Sequence, residues 1–267
     1  MKIVGRLKNW LGAESVIVPH SYLTAERRAQ VLAHYRGKPV APLGYATVED
    51  FCESVDRLPE ITGRQGDLKD VQRPWTVKAL LGLLEPSATL AEIGAGLPDV
   101  AQVLTECGYR VIAVDPYEGA GNGPVEYEKY RQLFPQVDIR KQYFDETLQV
   151  DKKVDAVYSI STIEHIPDLE PVFRAIHRIL KPGGLSLHCI DVVTRGFDEE
   201  YHLAQARTLL RLQGEPAEAW DGVLAKANQD VETYWLGPSG HQLWRGATPY
   251  KQYPYRKVMS LQTWRRF

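Results

Sequence analysis

With 267 residues, 44% of them hydrophobic and 25% charged, the chain has the balance of an ordinary globular protein and the length to bury a sizeable core. A formal net charge of −2 offers no overall attraction to a polyanion, so nucleic acid is not the expected partner and a small or neutral molecule is. Cys52, Cys107 and Cys189 form no CxxC pair, which points to a reducing compartment and gives no structural zinc site, and no apolar run of about eighteen residues is present to span a bilayer. A cytoplasmic protein without stable membrane insertion is expected.

The first dozen residues place Ile3, Val4, Leu7, Trp10 and Leu11 at helical spacing among Lys2, Arg6 and Lys8, and Gly12, Glu14 and Ser15 interrupt any signal-like apolar run. This stretch reads as a short amphipathic turn packed on its own domain, with an anionic membrane surface as the alternative. Residues 1–74 are expected to form an N-terminal helical cap. It holds helices at Ala25 to Tyr35 and Val48 to Asp56, punctuated by Pro39, Pro42, Gly44, Pro59, Gly63 and Gly66.

The remaining domain, 75–267, begins with a helical pattern from Thr76 to Leu84, which Pro86-Ser87 ends before the buried strand Thr89 to Ile93. Gly94-Ala95-Gly96 follows, then a helix with Pro98 in its first turn and Val100, Val103, Leu104 and Cys107 on one face, stopped by Gly108. Val111 to Asp115 is the second strand, so this unit has the size of a right-handed parallel crossover. A helix near Val125 to Leu133 and strands near Val137 to Phe144 and at Val154 to Ile160 continue the alternation. The next helix has Asp168 as its cap and Leu169, Val172, Phe173, Ile176 and Leu180 on its apolar face. Lys181-Pro182-Gly183-Gly184 turns it into a fifth strand, Leu185 to Ile190. An insertion at about 196–229, helical over Glu199 to Leu212 and Glu215 to Asn228, is too long for a simple connection. It suits a lid, a substrate-pocket wall or a homo-oligomer contact. Tyr234 to Leu236 and Lys257 to Trp264 close the chain as strands. The alternation predicts a doubly wound α/β Rossmann-like fold, with a mainly parallel sheet carrying helices on both faces.

In such a sheet ligands bind at the carboxyl ends of the strands, where the strand order reverses. Gly94-Ala95-Gly96 stands there, its glycines allowing close backbone approach, and Asp115 at the tip of the next strand can accept two ribose hydroxyls. A dinucleotide fingerprint wants a third glycine where Asp99 stands, and Glu92 would sit badly beside a pyrophosphate, yet it suits a cofactor carrying an ammonium and a sulfonium. Arg73 and Trp75 are placed to close over a cofactor carboxylate, with a plain salt bridge at a helix start as the alternative.

The ordered series LAEIGAG, VIAVDP, VDAVYSISTIEHI and LKPGG, over residues 75 to 191, resembles the class I S-adenosylmethionine methyltransferases. The resemblance implies a seven-stranded sheet with a reversed final hairpin and S-adenosylmethionine as cofactor. It implies Glu92, Gly94, Ala95 and Gly96 around the methionine part, Asp115 and Pro116 at the ribose, and Phe144 with Asp145 beside the adenine. Ser159, Ile160 and Ser161 would form the floor beneath the sulfonium. Pro98 departs from the glycine many members have. DLKDVQRPW and the tail PYKQYPYRKVMSLQ are similar, less specifically, to methyltransferases of glycan and secondary-metabolite pathways, which implies a hydroxyl on a small-molecule or glycan acceptor.

A hydroxyl gains from a general base, and His165, just past the fourth strand, is the candidate for it. A structural histidine that fixes the loop is the alternative. Glu164 would orient the imidazole or cap the next helix, and Asp191 would face the same pocket or stabilise its turn. Glu164, His165, His188 and Asp191 are also metal-ligand types, but Ser161 stands where some metal-using relatives have an acidic residue, so no metal is expected. Tyr234, Trp235, Trp244, Tyr250, Tyr253 and Tyr255 could face a glycan or form a satellite core. A nicotinamide-dependent oxidoreductase or epimerase is the rival, since Tyr253 and Lys257 have YxxxK spacing, but Pro254 breaks the helix that device needs. A non-catalytic S-adenosylmethionine-binding module is the other. Ser-Ile-Ser-Thr in place of an NPPY-like tetrad argues against nucleic-acid methylation.

Overall fold

A computed structural model describes residues 19–119, 125–216 and 218–267, so the amphipathic stretch from Ile3 to Leu11 lies outside the described residues. Among the described residues seven strands form one sheet: β1 (Leu43–Tyr45), β2 (Thr89–Ile93), β3 (Arg110–Asp115), β4 (Asp138–Lys141), β5 (Val154–Ile160), β6 (Leu180–Gly196) and β7 (Arg256–Arg266). Their order across the sheet is β1-β7-β6-β5-β2-β3-β4. The strands from β6 to β4 run parallel, and β7 is antiparallel to both β6 and β1. The doubly wound Rossmann-like, mainly parallel seven-stranded fold is therefore present.

Period-2 alternation divides the strand side chains between two cores. Leu90, Ala113, Tyr158 and Leu187 point to the face covered by α1 (Ala25–Tyr35), α3 (Lys69–Leu83), α4 (Asp99–Glu106) and α5 (Tyr127–Leu133). Ala91, Ile93, Val114 and Val157 point to the opposite face, under α6 (Glu170–Ile179), α7 (Glu199–Leu212) and α8 (Glu218–Gln229). Local chemistry sets several boundaries. Thr24 caps α1, and Thr47 with Asp50 forms a reciprocal capping box on α2 (Val48–Arg57). Asp168 accepts the Glu170 N–H at the start of α6.

The β1–β7 end of the sheet departs from the expected pattern. The terminal position beyond β7 belongs to β1, from the N-terminal part of the chain, whose Leu43, Gly44 and Tyr45 lie opposite Thr263, Gln262 and Leu261. Tyr234 to Leu236, expected as a strand, makes only an isolated bridge from Trp235 to Met259. A three-residue strand with a central glycine after Pro42 carries almost no periodic signal, which is why the sequence does not announce it. β6 also runs past the expected Ile190 to Gly196. Its parallel partner β5 stops opposite Cys189, but antiparallel β7 continues the ladder to the Gly196–Arg256 pair. α9 (Pro238–Arg245) precedes β7.

Candidate active site

The carboxyl ends of β2, β3, β5 and β6 come together on one side of the sheet. After β2 the chain turns back through Gly94 (φ +65°) and Gly96 (φ +52°), conformations that an L side chain disfavours. The Gly94 and Ala95 amides both donate to the Val114 carbonyl, at 2.8 and 3.2 Å. A Cβ on Gly94 would stand 2.1 Å from Thr162 Cγ2, so the loop after β5 closes directly over the glycine loop. Thr162 Oγ1 donates to the Gly94 carbonyl at 3.2 Å.

Asp115 ties the second edge of this corner. Its Oδ2 accepts Gly96 N–H at 3.0 Å and its Oδ1 accepts Tyr117 N–H at 2.7 Å, while the Tyr117 hydroxyl returns to the Gly96 carbonyl at 3.1 Å. Each carboxylate oxygen has two lone pairs and uses one here, so both keep capacity for a ribose hydroxyl. Pro116 lies half-buried between these residues.

Glu92 is 4% exposed and accepts the Tyr158 hydroxyl at 3.1 Å. Burial pushes its pKa well above the ordinary range and the Asp99 carboxylate adds to this, against the opposing effects of the Tyr158 bond and Arg73. Asp99 is itself buried and pairs with Arg73 Nη1 at 3.0 Å; burial raises its pKa as Arg73 opposes. Arg73 thus makes the helix-start salt bridge, and any hold on a cofactor carboxylate would use its remaining donors. Three carboxylates stand here against one guanidinium. That donor set fits a cofactor bearing an ammonium and a sulfonium, whose positive charge would draw Glu92 back toward its charged form, and it offers a pyrophosphate a single cation. Phe144 is buried beside this corner among Val114 and Leu148. Asp145 Oδ1 takes the Thr147 amide and hydroxyl at 2.8 and 2.6 Å, which holds its pKa below the usual value.

The β5 and β6 ends bear the second group of side chains. Ser159 is fully buried and its hydroxyl lies 2.8 Å from His188 Nδ1, with Ser186 at 2.7 Å from Nε2. Any contribution of Ser159 to a cofactor floor therefore comes through its backbone, and His188 stands apart from the other ligand-type residues. Ile160 is half-buried and packs against the α3 side of the core. Ser161, at φ +48°, turns its hydroxyl to Asp191 Oδ2 at 2.6 Å. Gln72 of α3 donates to the other Asp191 oxygen at 2.8 Å. The Asp191 amide donates to Glu164 Oε1 at 2.9 Å, while Glu164 Oε2 is buried without a partner among the described residues. Burial, with the Asp191 charge second, pushes the Glu164 pKa well up, so Glu164 holds its proton.

His165 sits in a 3-10 turn, Ile163–His165, and is exposed. Partial desolvation lowers its pKa, against the opposing Asp191 carboxylate, with His202, Lys69 and Arg256 adding to the drop. One ligand-type atom each of Glu164, His165 and Asp191 lies within 4.8 Å of the others. The structure thus brings these three together, a spacing equally suited to a shared proton and to a cation.

Several residues at the site are not visible to sequence reasoning. The first turns of α7 fasten the His165 turn through side chains: Tyr201 donates to the Glu164 carbonyl at 3.1 Å and Gln205 to the Ile166 carbonyl at 3.0 Å. His202 Nδ1 bonds the Asp191 carbonyl at 2.8 Å. Gln72, a fully buried amide on a helix, is detectable only as a polar break in an apolar face. The late aromatics are largely committed to packing. Tyr234 stacks on Phe51, Trp244 donates to Asp67, and Lys257 lies 3.6 Å from the Trp235 ring centre. Tyr250 and Tyr255 remain exposed. Tyr253 lies in a turn and Lys257 in β7, so the YxxxK pair shares no helix face.

A family model described as methyltransferase domain matches residues 68–235. The chain belongs to this family. Its cofactor is S-adenosylmethionine, consistent with the carboxylate-rich corner around Glu92 and Asp115. The methyltransferase is 30% identical over 109 residues to a ubiquinone biosynthesis O-methyltransferase of Ruegeria pomeroyi, covering 40% of this chain and 43% of that protein. It is 32% identical over 124 residues to phosphoethanolamine N-methyltransferase 2 of Caenorhabditis elegans, covering 45% of this chain and 27% of that one. The chain thus spans less than half the length of these curated relatives. A solved S-adenosylmethionine-dependent methyltransferase of Aquifex aeolicus is similar with a TM-score of 0.42 and 18% identity, over 52% of this chain and 77% of that one. Among the described residues no helix is long and apolar enough to cross a membrane.

Proposed function

We propose that the protein transfers the methyl group of S-adenosylmethionine to a hydroxyl of a small-molecule or glycan acceptor, with His165 as general base. The observation that carries this reading is the convergence of His165, Glu164 and Asp191 within 4.8 Å, next to the turn whose Thr162 closes over Gly94. When bound, the cofactor supplies an electrophilic methyl carbon. The chain's task is to hold the acceptor in line with it and to remove a proton. Glu92, the Gly94–Gly96 loop and Asp115 would hold the cofactor, with Phe144 and Asp145 beside its base.

A hydroxyl is a poor nucleophile until its proton leaves. The lowered pKa of His165 keeps the imidazole neutral at pH 7 and free to accept that proton on a ring nitrogen. The Asp191 carboxylate beside it then favours the imidazolium. Glu164, kept protonated, avoids a second negative charge that would raise the His165 pKa further. Gln72 and Ser161 occupy one lone pair on each Asp191 oxygen and so fix the direction in which the charge acts.

The test combines binding and turnover. S-adenosylmethionine and S-adenosylhomocysteine should raise the melting temperature and NAD should not, and a methyl-transfer screen over sugars and aglycones should find a hydroxyl acceptor. His165→Ala should keep the cofactor shift while turnover falls about 10²- to 10⁴-fold, the usual contribution of a general base. Turnover unchanged in that variant would remove His165 from the mechanism.

A further inference from the structure

One buried charge near the His165 turn is poorly matched. Arg256, the first residue of β7, has a side chain only 9% exposed. Its described polar contact is a single bond from Nη1 to Asp198 at 3.3 Å, longer than the roughly 2.7–2.9 Å usual between charged partners. Asp198 itself is 41% exposed at the start of α7. Burial lowers the Arg256 pKa, with Asp198 and then Asp191 opposing, and Nε is buried without a partner among the described residues. The guanidinium carbon lies 4.3 Å from the Tyr253 ring centre and 5.9 Å from that of Trp244, whose indole is fixed by its bond to Asp67. Stacking of this kind occupies the flat face of the group and leaves its in-plane N–H donors for a planar acceptor. A buried cation with unused donors is destabilising on its own, and a bound anion offsets that.

The sheet sets this group next to the reaction site. Period-2 alternation puts Arg256, Val258 and Ser260 on one face of β7, and Ser260 stands opposite Asp191 in the ladder. The Arg256 charge adds to burial in lowering the pKa of both His165 and His202. With Glu164 protonated, the permanent charges felt at His165 are one carboxylate, Asp191, and two cations, Lys69 and Arg256. Glu199 and Glu200 leave the outer start of α7 net negative, so no surface field draws an anion here. The attraction comes from buried donors at contact distance, which water and salt screen far less. Gln72 Oε1, Glu164 Oε2 and Ser260 Oγ are likewise buried without a partner among the described residues. Arg256 is therefore the cationic member of a group of unsatisfied polar side chains around Asp191, and such groups in a folded interior mark the place of a polar ligand.

We propose that Arg256 binds an anionic oxygen group of the methyl acceptor, a carboxylate or a phosphate, while the acceptor hydroxyl lies at His165. The inference rests on the acceptor reading above and narrows it from any hydroxyl to a hydroxy acid or a hydroxylated phosphate. Arg256 sets specificity in this scheme and takes no part in the proton transfer.

The test uses the full chain saturated with S-adenosylhomocysteine and titrated calorimetrically with acids and their neutral counterparts: glucuronate against methyl glucoside, gallate against pyrogallol, and glycerol phosphate against glycerol. At least one acid should bind about tenfold or more tighter than its counterpart, and which acid does so tells carboxylate from phosphate. Arg256→Met should weaken that acid about 10- to 100-fold, the range of a charged hydrogen bond, and change the neutral compound less than about threefold. Arg256→Lys keeps the charge and loses the planar fork, so its loss should be intermediate. Asp198→Asn removes the competing carboxylate and should tighten the acid. If Arg256 only held the start of α7, Arg256→Met and Asp198→Asn would lower the melting temperature and leave acid affinity unchanged. The S-adenosylmethionine thermal shift reports that each variant folds, and should Arg256→Met fail to fold, the Asp198→Asn titration decides. No acid binding more tightly than its counterpart, or acid affinity equal to wild type in Arg256→Met or in Asp198→Asn, would overturn the proposal. His165-dependent methylation of a neutral hydroxyl would then leave the broader acceptor reading intact, and absence of any cofactor shift would remove both.

Discussion

Replacing Gly94 by alanine tests the central geometry, the closure of the β5 loop over the glycine turn. The new methyl group would stand 2.1, 2.6 and 2.9 Å from Cγ2, Oγ1 and Cβ of Thr162, and all three distances are too short to persist. Thr162 must move, which breaks the hydrogen bond that its one hydroxyl proton shares between the Gly94 and Ile160 carbonyls, at 3.2 and 3.0 Å. One neutral hydrogen bond is worth about 1 kcal/mol, and a non-glycine residue at φ +65° adds about 1–2 kcal/mol. The total, about 2–3 kcal/mol, corresponds to a fall in melting temperature of about 4–12 °C for a domain of this size. Thermal unfolding followed by circular dichroism measures it. The double variant Gly94→Ala/Thr162→Gly removes the steric conflict but not the backbone strain, so it should be less destabilised than the sum of its two single variants. Melting of the single Gly94 variant within about 2 °C of wild type, or simple additivity in the double variant, would refute the close contact between the two loops.

Two further outcomes follow from the same geometry. Asp115→Ala should abolish the thermal shift given by S-adenosylmethionine and weaken binding at least about 10²-fold. It removes acceptors for two hydroxyls at about 1.5–3 kcal/mol each and also frees the Gly96 and Tyr117 amides; calorimetric affinity equal to wild type would count against the ribose role. His188 is fully buried, and burial lowers its pKa from 6.5 to about 3. The unfolded chain therefore binds one more proton than the folded one between those values, so stability should fall as pH drops from about 6.5 toward 3, with a slope approaching 1.4 kcal/mol per pH unit. Urea titrations of wild type and His188→Gln across pH 5 to 7 measure the difference, and parallel pH dependence in the two would exclude the buried neutral histidine.

The class of fold is written locally in this chain. Apolar periodicity, the capping residues and the Gly94 to Gly96 turn each act over a few residues, so the spans of β5 and α7 match those read from the sequence. The glycine loop, Asp115 and the EHI segment are legible for the same reason, because one turn of chain holds the chemistry that marks them. Other features depend on partners far apart in sequence. β1 exists because β7 leaves an open edge for Leu43 to Tyr45, and β6 extends because β7 continues beside it.

The site divides in the same way. The sequence alone determines which residues carry charge and protons: Glu92, Asp115, Glu164, His165 and Asp191. Tertiary structure decides what each can do with them. Ser159 is spent on His188, Arg73 on Asp99, and most of the late aromatics on packing, while Gln72 and Tyr201 reach the site from helices separated from it by long stretches of chain. A residue's type fixes its intrinsic pKa and hydrogen-bonding capacity, but its working state depends on burial and on neighbours that only the folded sheet brings within a few ångströms.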